Sequence, residues 1–185
     1  MTGSVRAAGV AAGLVAVLVA AVTAAQALAA RKPQSIRSRR VALTSLEHGV
    51  LSDINAFRRS HHLAPLRISP GLTRAADQHS TEMASKGYFA HDSANGAAFW
   101  QRIAEFYGAS HWSLWSVGEN LLWASPGVSA SRALRMWEQS PEHLRNLLTA
   151  RWREIGISAV HVTSAPGAFH GLGVTIVTTD FGVRR

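Results

Sequence analysis

The residues of this chain best suited to chemistry are two histidines and a glutamate. His91 lies 28 residues before Glu119, and His143 lies 24 residues after it. Two imidazoles and one carboxylate can bind a divalent metal such as zinc if the fold brings them together. The same groups can instead form a hydrogen-bonded acid/base cluster that needs no metal. Residue type and spacing leave both interpretations open.

Short motifs surround these three residues and continue along the chain. They are Asn55-Ala56-Phe57-Arg58, Phe89-Ala90-His91, Gly118-Glu119-Asn120, the segment from Trp137 to Leu148, Glu154-Ile155-Gly156-Ile157 and Phe181-Gly182. In this order and spacing the motifs resemble bacterial members of the CAP superfamily. That superfamily comprises the cysteine-rich secretory, antigen 5 and pathogenesis-related proteins, and its domain is also called the SCP domain. The resemblance covers about residues 46 to 182.

The resemblance implies a fold and a site. The fold would be α+β, an α-β-α sandwich with a small, mainly antiparallel sheet between helical layers and the histidines in a surface cleft. Eukaryotic members have two histidines and two glutamates there, and some bind a divalent ion. His91, Glu119 and His143 match three of the four, while Ser140 takes the place of the second glutamate. We therefore place Ser140 in the cleft and expect His91, His143 and Glu119 to bind an ion such as zinc only weakly.

Each cleft residue also has a purely structural interpretation. Glu119 could accept hydrogen bonds that tie its loop to a helix, His143 could serve at a helix start, and His91 could bond a strand carbonyl. Ser140 precedes His143 by three residues, a spacing at which a serine nucleophile and a histidine base could interact. The Ser-Pro pair is, however, also an ordinary start of a turn. The chain has no cysteine, no G-x-S-x-G and no H-E-x-x-H. We therefore expect a protein that is not an enzyme.

The positive charge is concentrated ahead of the domain. The net charge is +8, and residues 31–40 contribute five basic residues and no acid. Residues 41–185 carry 13 Lys and Arg against 11 Asp and Glu. A nearly neutral domain lacks the basic groove of nucleic-acid binders, so we predict no nucleic-acid partner. Without cysteine there are no disulfides, unlike in the eukaryotic members, and packing must hold the domain together.

The N-terminal segment predicts export. Residues 7–30 carry no charge, Arg6 precedes them, and Ala27-Leu28-Ala29 ends the run with small residues. This composition is typical of a secretory signal peptide, here residues 1–29, followed by a basic linker at 30–43 and the CAP domain at 44–185. An uncleaved membrane anchor is the alternative, since 24 uncharged residues can span a bilayer. The cleavage signal favours a secreted, extracellular protein, whose only membrane contact would be this segment if it were uncleaved.

Local signals predict helices in the first half and strands later. Thr44 and Glu47 form a capping box ahead of apolar residues at helical spacing, so a helix should run to about His61. Further helices are predicted to begin at Pro70, near Phe99, after Ser129 and at Pro141, and strands near 155–162 and 174–181. Trp137 lies on the apolar side of its helix and should be in the core.

Three functional hypotheses follow. The first is a secreted, monomeric, non-enzymatic binding module for an apolar or cell-envelope ligand, with a cleft that holds a divalent metal weakly. The alternative is a metal-assisted extracellular hydrolase, and a third is a structural or signalling module without a ligand. The hydrolase hypothesis requires His91, His143 and Glu119 to converge on one metal ion that keeps a coordination position open for water or substrate.

Overall fold

Five α-helices and four strands make up residues 43–185, the part of the chain that the computed structural model describes. They are α1 (Ser45–Ser60), β1 (Arg67–Ile68), α2 (Pro70–Lys86), α3 (Phe99–Phe106), β2 (Trp115–Ala124), α4 (Ala130–Glu138), α5 (Pro141–Leu148), β3 (Glu154–Val162) and β4 (Val174–Arg184). The signal peptide predicted at 1–29, its anchor alternative and the linker up to residue 42 lie outside the described residues. Within 43–185 no helix combines the length and the apolar character needed to cross a membrane.

The strands form one mixed sheet in the order β1-β3-β4-β2. Strand β1 is parallel to β3, while β4 pairs antiparallel with both β3 and β2. Strand β4 is therefore central, and nearly all of its residues are buried. Strand β2 lies at an edge of the sheet, which leaves its outer side open to the loops and helix ends that form the site.

Helices cover both faces of the sheet. On one face α1, α4 and α5 pack through Ile54, Trp137 and Leu147 onto residues such as Phe181. On the other face lie α2 and α3, whose core includes Leu72, Ile103 and Tyr107. The α-β-α sandwich with a mainly antiparallel sheet is thus confirmed, and Trp137 is in the core with 1% of its surface exposed.

Local signals placed the helix ends correctly. The Thr44 hydroxyl accepts a hydrogen bond from the Glu47 amide at 3.3 Å, and Glu47 accepts one from the Thr44 amide at 2.7 Å. Pro70 occupies the first turn of α2, and Gly87 ends that helix at φ 71°, a left-handed conformation that glycine adopts without strain. Ser69 occupies the N-cap position of α2, but its hydroxyl makes no hydrogen bond to the first turn of the helix.

The interpretation of Gly118-Glu119-Asn120 as part of a loop was wrong. These residues lie in the middle of β2, where Glu119 pairs with Asp180 and Asn120 with Thr179 of β4. Glycine, glutamate and asparagine have little intrinsic preference for strands. Pairing with the buried strand β4 and the side-chain bonds described below override that local preference.

Candidate functional site: a histidine cleft at the edge of the sheet

A surface cleft of about 350 Å³ lies at the open edge of β2. Its walls come from the loop between α2 and α3, from β2 and from the first turns of α5. Its polar lining residues are His91, Glu119, Glu142, His143, Arg145 and Asn146. Three segments far apart in the sequence thus bring both histidines and the glutamate of the motifs into one cavity.

The two imidazole rings approach each other across this cleft. The ring centroids of His91 and His143 are 6.5 Å apart, with the ring planes at 48°. About half of the His91 side chain is exposed, and His143 is partly buried. Small ligands can therefore reach both rings from solvent.

Glu119 is buried beneath His91 and both of its oxygens are engaged. Oε1 accepts a hydrogen bond from Nδ1 of His91 at 2.7 Å, and Oε2 accepts one from Nη2 of Arg102. Donation from Nδ1 leaves Nε2 of His91 as the nitrogen available to a ligand. The hydrogen bond to Glu119 raises the pKa of His91 above its ordinary value, against the opposing effect of partial burial.

Arg102 is a site residue that the sequence reasoning missed. It is 4% exposed, forms an ion pair with Glu119, and its Nη1 donates to the backbone carbonyl of His91 at 3.1 Å. One guanidinium thus fixes both the carboxylate and the loop that presents the histidine. A signal existed, because Arg102 falls one helical turn after Phe99 and beside Ile103 on the apolar face of α3, where a cation needs a buried acceptor.

Two asparagines attach α5 to β2 and so position His143. Asn120 Nδ2 donates to the His143 carbonyl at 3.1 Å, and Asn146 Nδ2 donates to the Glu119 carbonyl at 2.9 Å and to Asn120 Oδ1 at 2.8 Å. These bonds hold His143 at the mouth of the cleft. Partial burial lowers the pKa of His143, and the neighbouring His91 lowers it further. His143 therefore tends to stay neutral while His91 holds a proton more readily.

The loop carrying His91 is tied down by α2. His79, fully buried on that helix, donates from Nε2 to the carbonyl of Ala90 at 2.9 Å. Glu82 accepts a 2.7 Å hydrogen bond from the Tyr88 hydroxyl near the start of the same loop. His79 is therefore a buried structural histidine whose Nε2 is already hydrogen-bonded.

Ser140 lies beside the cleft rather than in its lining. It occupies the N-cap position of α5, and within residues 43–185 its side chain makes no hydrogen bond to His143. It lines a second, largely apolar groove of about 280 Å³, together with Phe89, Trp123 and Met136. His143 borders both cavities, so the cleft and the groove are neighbours.

The donor groups fit a metal only in part. Among residues 43–185, no set of three or more His, Cys, Asp or Glu side chains is placed to hold a metal ion. His91 and His143 each have a ring nitrogen that could bind a metal ion. Both Glu119 oxygens already accept hydrogen bonds, one from His91 and one from Arg102. A carboxylate that accepts from the far nitrogen of a ligating histidine orients that ring. The direct ligation by Glu119 expected from the motifs stays a prediction.

Comparison with known proteins identifies the family. The model of the CAP family, described as the cysteine-rich secretory protein family, matches residues 51–178. The chain belongs to this family. The absence of cysteine shows that its domain is a cysteine-free form.

Individual relatives agree with this assignment. The uncharacterized protein YkwD of Bacillus subtilis (strain 168) is 29% identical over 131 residues, which is 71% of this chain and 49% of YkwD. The match thus spans about half of that relative. An outer surface protein of Borrelia burgdorferi superposes with a TM-score of 0.65 at 20% identity, over 78% of this chain and 97% of that one. An extracellular protein containing an SCP domain from Bacillus anthracis gives a TM-score of 0.55 at 25% identity. That superposition covers 78% of this chain and 45% of the Bacillus anthracis chain.

Proposed function

We propose that this CAP-domain protein acts outside the cell as a non-enzymatic binding module for an amphipathic ligand of the cell envelope. The observation that carries the proposal is the position of His143, which borders both the polar cleft and the apolar groove. A ligand with an apolar part and a polar head could occupy the two cavities at once. Pockets that combine an apolar wall with a few polar groups are typical ligand sites.

The groove supports the apolar half of this ligand. Phe89 is 38% exposed, although it borders a concave surface. Trp123 is held edge-on against Phe169, with ring centroids 5.3 Å apart, and is only partly buried. Met136, also partly buried, can adapt its flexible thioether to different shapes. Partly exposed aromatic and thioether surface in a cavity favours binding of a hydrocarbon group.

The cleft supports an anionic head group. Its lining carries Arg145 and the two histidines against the exposed Glu142, while the charge of Glu119 is balanced by Arg102. The raised pKa of His91 adds positive character near neutral pH. A phosphate or carboxylate would therefore meet a favourable potential there.

An extracellular site of action agrees with the predicted export signal at residues 1–29. Two structural neighbours are described as an outer surface protein and an extracellular protein. Envelope lipids and polymers are the amphipathic molecules that an exported domain meets.

Replacing Phe89 with alanine should weaken binding of dodecyl phosphate, used below its micelle concentration, by about tenfold. The expected loss follows from removing roughly half of an aromatic side chain's apolar contact, worth ~1.4 kcal/mol. The measurement is a titration followed by tryptophan fluorescence. Leu172→Ala is the control, because Leu172 is similarly exposed at 45% but does not line the groove. Equal affinities for the two variants would contradict the proposed groove.

We further propose that His91 and His143 hold a divalent ion such as zinc weakly, with Glu119 orienting His91. The ion would supply positive charge for the head group of the ligand. Two imidazoles fill only half of the four coordination positions of zinc and leave the others to water or ligand, which limits the affinity. This part of the proposal is independent of the groove.

Calorimetry should detect weak zinc binding that His143→Ala abolishes and that weakens as the pH falls. Zinc needs neutral imidazoles, and the ordinary histidine pKa is about 6.5. Because the pKa of His91 is raised, protons should begin to compete above that value, while His143, with a lowered pKa, loses its affinity only at lower pH. His48→Ala, at an exposed histidine on α1, is the matched control. Identical zinc isotherms for wild type and His143→Ala would show that the histidines are structural.

The geometry favours binding over the alternative of a metal-assisted hydrolase. Hydrolysis would need a general base within reach of the attacking water. Glu119, the carboxylate hydrogen-bonded to His91, is buried and its oxygens are engaged by His91 and Arg102. Ser140 lacks the hydrogen bond to His143 that an activated nucleophile would need. The polar groups are arranged to hold a ligand.

A further inference from the structure

One end of the sheet carries a cluster of arginines for which the proposed function has no role. Strands β1, β2 and β3 begin at this end, and β4 finishes there. The arginines are Arg67 on β1, Arg151 and Arg153 just before β3, and Arg184 on β4. The first three are exposed, as is 31% of the Arg184 side chain. We call this surface the basic end of the sheet.

Acidic residues do not balance these arginines locally. In the segments that meet here, residues 65–68, 108–115, 150–155 and 182–184, the single acid is Glu154. Its carboxylate accepts a hydrogen bond from the Tyr107 hydroxyl at 2.5 Å and lies 3.8 Å from Nε of Arg184. Four arginines against one glutamate give these segments a net charge of +3, although residues 41–185 together carry only +2. Positive charge is thus concentrated at the basic end.

Two exposed apolar side chains lie beside the arginines. Trp112 is 44% exposed and Leu114 is 38% exposed, and both belong to the loop between α3 and β2. The guanidinium carbon of Arg184 lies 5.2 Å from the centre of the Trp112 ring and 4.1 Å from that of Tyr107. These cation–π contacts hold Trp112 against the arginine while much of its ring faces solvent.

Hydrogen bonds fix the loop that carries these two side chains. The Leu114 amide donates to the Arg185 carbonyl at 3.1 Å, and the Arg185 amide donates to the Leu114 carbonyl at 3.0 Å. The Ser113 hydroxyl donates to the same Arg185 carbonyl at 2.9 Å. His111, directly before Trp112, has a φ of 70°, which is uncommon for residues other than glycine. The loop is therefore held in one conformation that exposes Trp112 and Leu114.

Tryptophan and leucine beside arginines match the chemistry of an anionic lipid bilayer. Tryptophan rings favour the headgroup level of a membrane, where one side of the ring is apolar and the other is wet. Each arginine near an anionic membrane surface strengthens binding about fivefold. A soluble polyanion also attracts arginines, but it has no apolar layer for Trp112 and Leu114. The combination therefore favours a membrane over a soluble polymer.

We propose that the basic end of the sheet docks the folded domain on an anionic membrane surface. Trp112 and Leu114 then lie at the headgroup level, and the arginines lie against the lipid phosphates. The sequence predicted membrane contact only through the N-terminal segment, if uncleaved, and this surface adds a contact made by the domain itself. Neither the histidine cleft nor the apolar groove takes part, so the inference stands or falls separately from the proposed function.

Because the chain has no cysteine, one fluorophore can be attached at a chosen position of the full chain. Leu114→Cys, labelled with a polarity-sensitive dye, is mixed with vesicles of equal parts phosphatidylcholine and phosphatidylglycerol. The emission should shift to shorter wavelength as the dye enters the bilayer. Pure phosphatidylcholine vesicles, or about 1 M salt, which shortens the Debye length to about 3 Å, should remove most of the shift. An undiminished shift on uncharged vesicles would contradict the role of the arginines.

Leu172→Cys with the same dye is the matched control. Leu172 is 45% exposed and lies just before the start of β4, at the opposite end of the sheet. Both labelled proteins carry the same N-terminal segment, so any vesicle binding by that segment is common to the two. The dye at position 172 should therefore show little shift. No shift at position 114, or equal shifts at both positions, would overturn the proposal.

Charge variants of the protein labelled at position 114 test the arginines. Arg67→Gln/Arg153→Gln should raise the lipid concentration at half-maximal shift about 25-fold, the product of two fivefold losses. Arg132→Gln/Arg135→Gln removes two exposed arginines from α4 and is the control of equal net charge. It should change that concentration little. Equal changes in the two double variants would mean that net charge, and not this surface, drives the binding.

Replacing Trp112 distinguishes a bilayer from a soluble polyanion. Trp112→Ala should weaken vesicle binding about tenfold, because it removes apolar contact with the lipid while the arginines stay. Binding of inorganic polyphosphate, which has no apolar layer, should not change in this variant. If vesicle binding is unaffected by Trp112→Ala while polyphosphate binds through Arg67 and Arg153, the surface serves a soluble polyanion and the membrane proposal fails.

Discussion

Replacing Arg102 by methionine should lower the free energy of unfolding by about 3–5 kcal/mol, the usual cost of leaving one partner of a buried ion pair alone. Arg102 and Glu119 have side-chain exposures of 3% and 1%, so water cannot take over the role of the guanidinium. Methionine keeps much of the side-chain volume but supplies no donor to Glu119 or to the His91 carbonyl. Urea denaturation at pH 7 measures the loss.

The double variant Arg102→Met/Glu119→Gln provides the control. Removing the charge of Glu119 should relieve much of the damage, so the double variant should be more stable than the sum of the two single losses predicts. Arg59→Met, at an exposed arginine, should change stability by about 0.5 kcal/mol or less. A loss below about 1 kcal/mol in Arg102→Met would mean that Glu119 does not depend on this partner.

Replacing Trp137 by alanine should also cost about 3–5 kcal/mol, as expected for truncating a large buried aromatic side chain. The indole packs among the residues that join α1, α4 and α5 to the sheet. Its Nε1 donates to the carbonyl of Leu121 at 3.1 Å, so the alanine variant also leaves a buried acceptor without its donor. Thermal and chemical denaturation both report this loss.

Trp100→Ala is the matched control, because Trp100 is 48% exposed on α3. Its effect should stay near about 0.5 kcal/mol, as for ordinary surface changes. Trp137→Phe should fall between the two alanine variants, since it keeps most of the volume and loses the hydrogen bond. Similar losses for Trp137→Ala and Trp100→Ala would place Trp137 outside the core.

The helices could be predicted because their signals are local. The capping box at Thr44 and Glu47, the proline at position 70 and the glycine at position 87 act within one turn of the residues they control. Apolar spacing then shows which side of each helix is buried, and it placed Trp137 correctly. Motif order alone was enough to nominate His91, Glu119 and His143, which the structure brings into one cleft.

Strand β2 could not be predicted in the same way. Gly118, Glu119 and Asn120 are poor strand formers, and what makes them a strand is a partner about 60 residues later in the chain. The role of Arg58 was hidden for the same reason. Arg58 lies in the last turn of α1, where it is buried and its Nη1 donates to the carbonyls of Leu147 and Thr149, far along the chain.

The charge pattern of the site was decided only by the tertiary structure. The sequence determined which groups could act in the cleft: two imidazoles and one carboxylate. It did not determine that Arg102 neutralises Glu119 or that Asp180 stands opposite Glu119, because these contacts join α3, β2 and β4 across the sheet. Electrostatic energies depend on distance and burial in three dimensions. The partners that set the protonation of this cleft are therefore fixed by how the helices and strands pack.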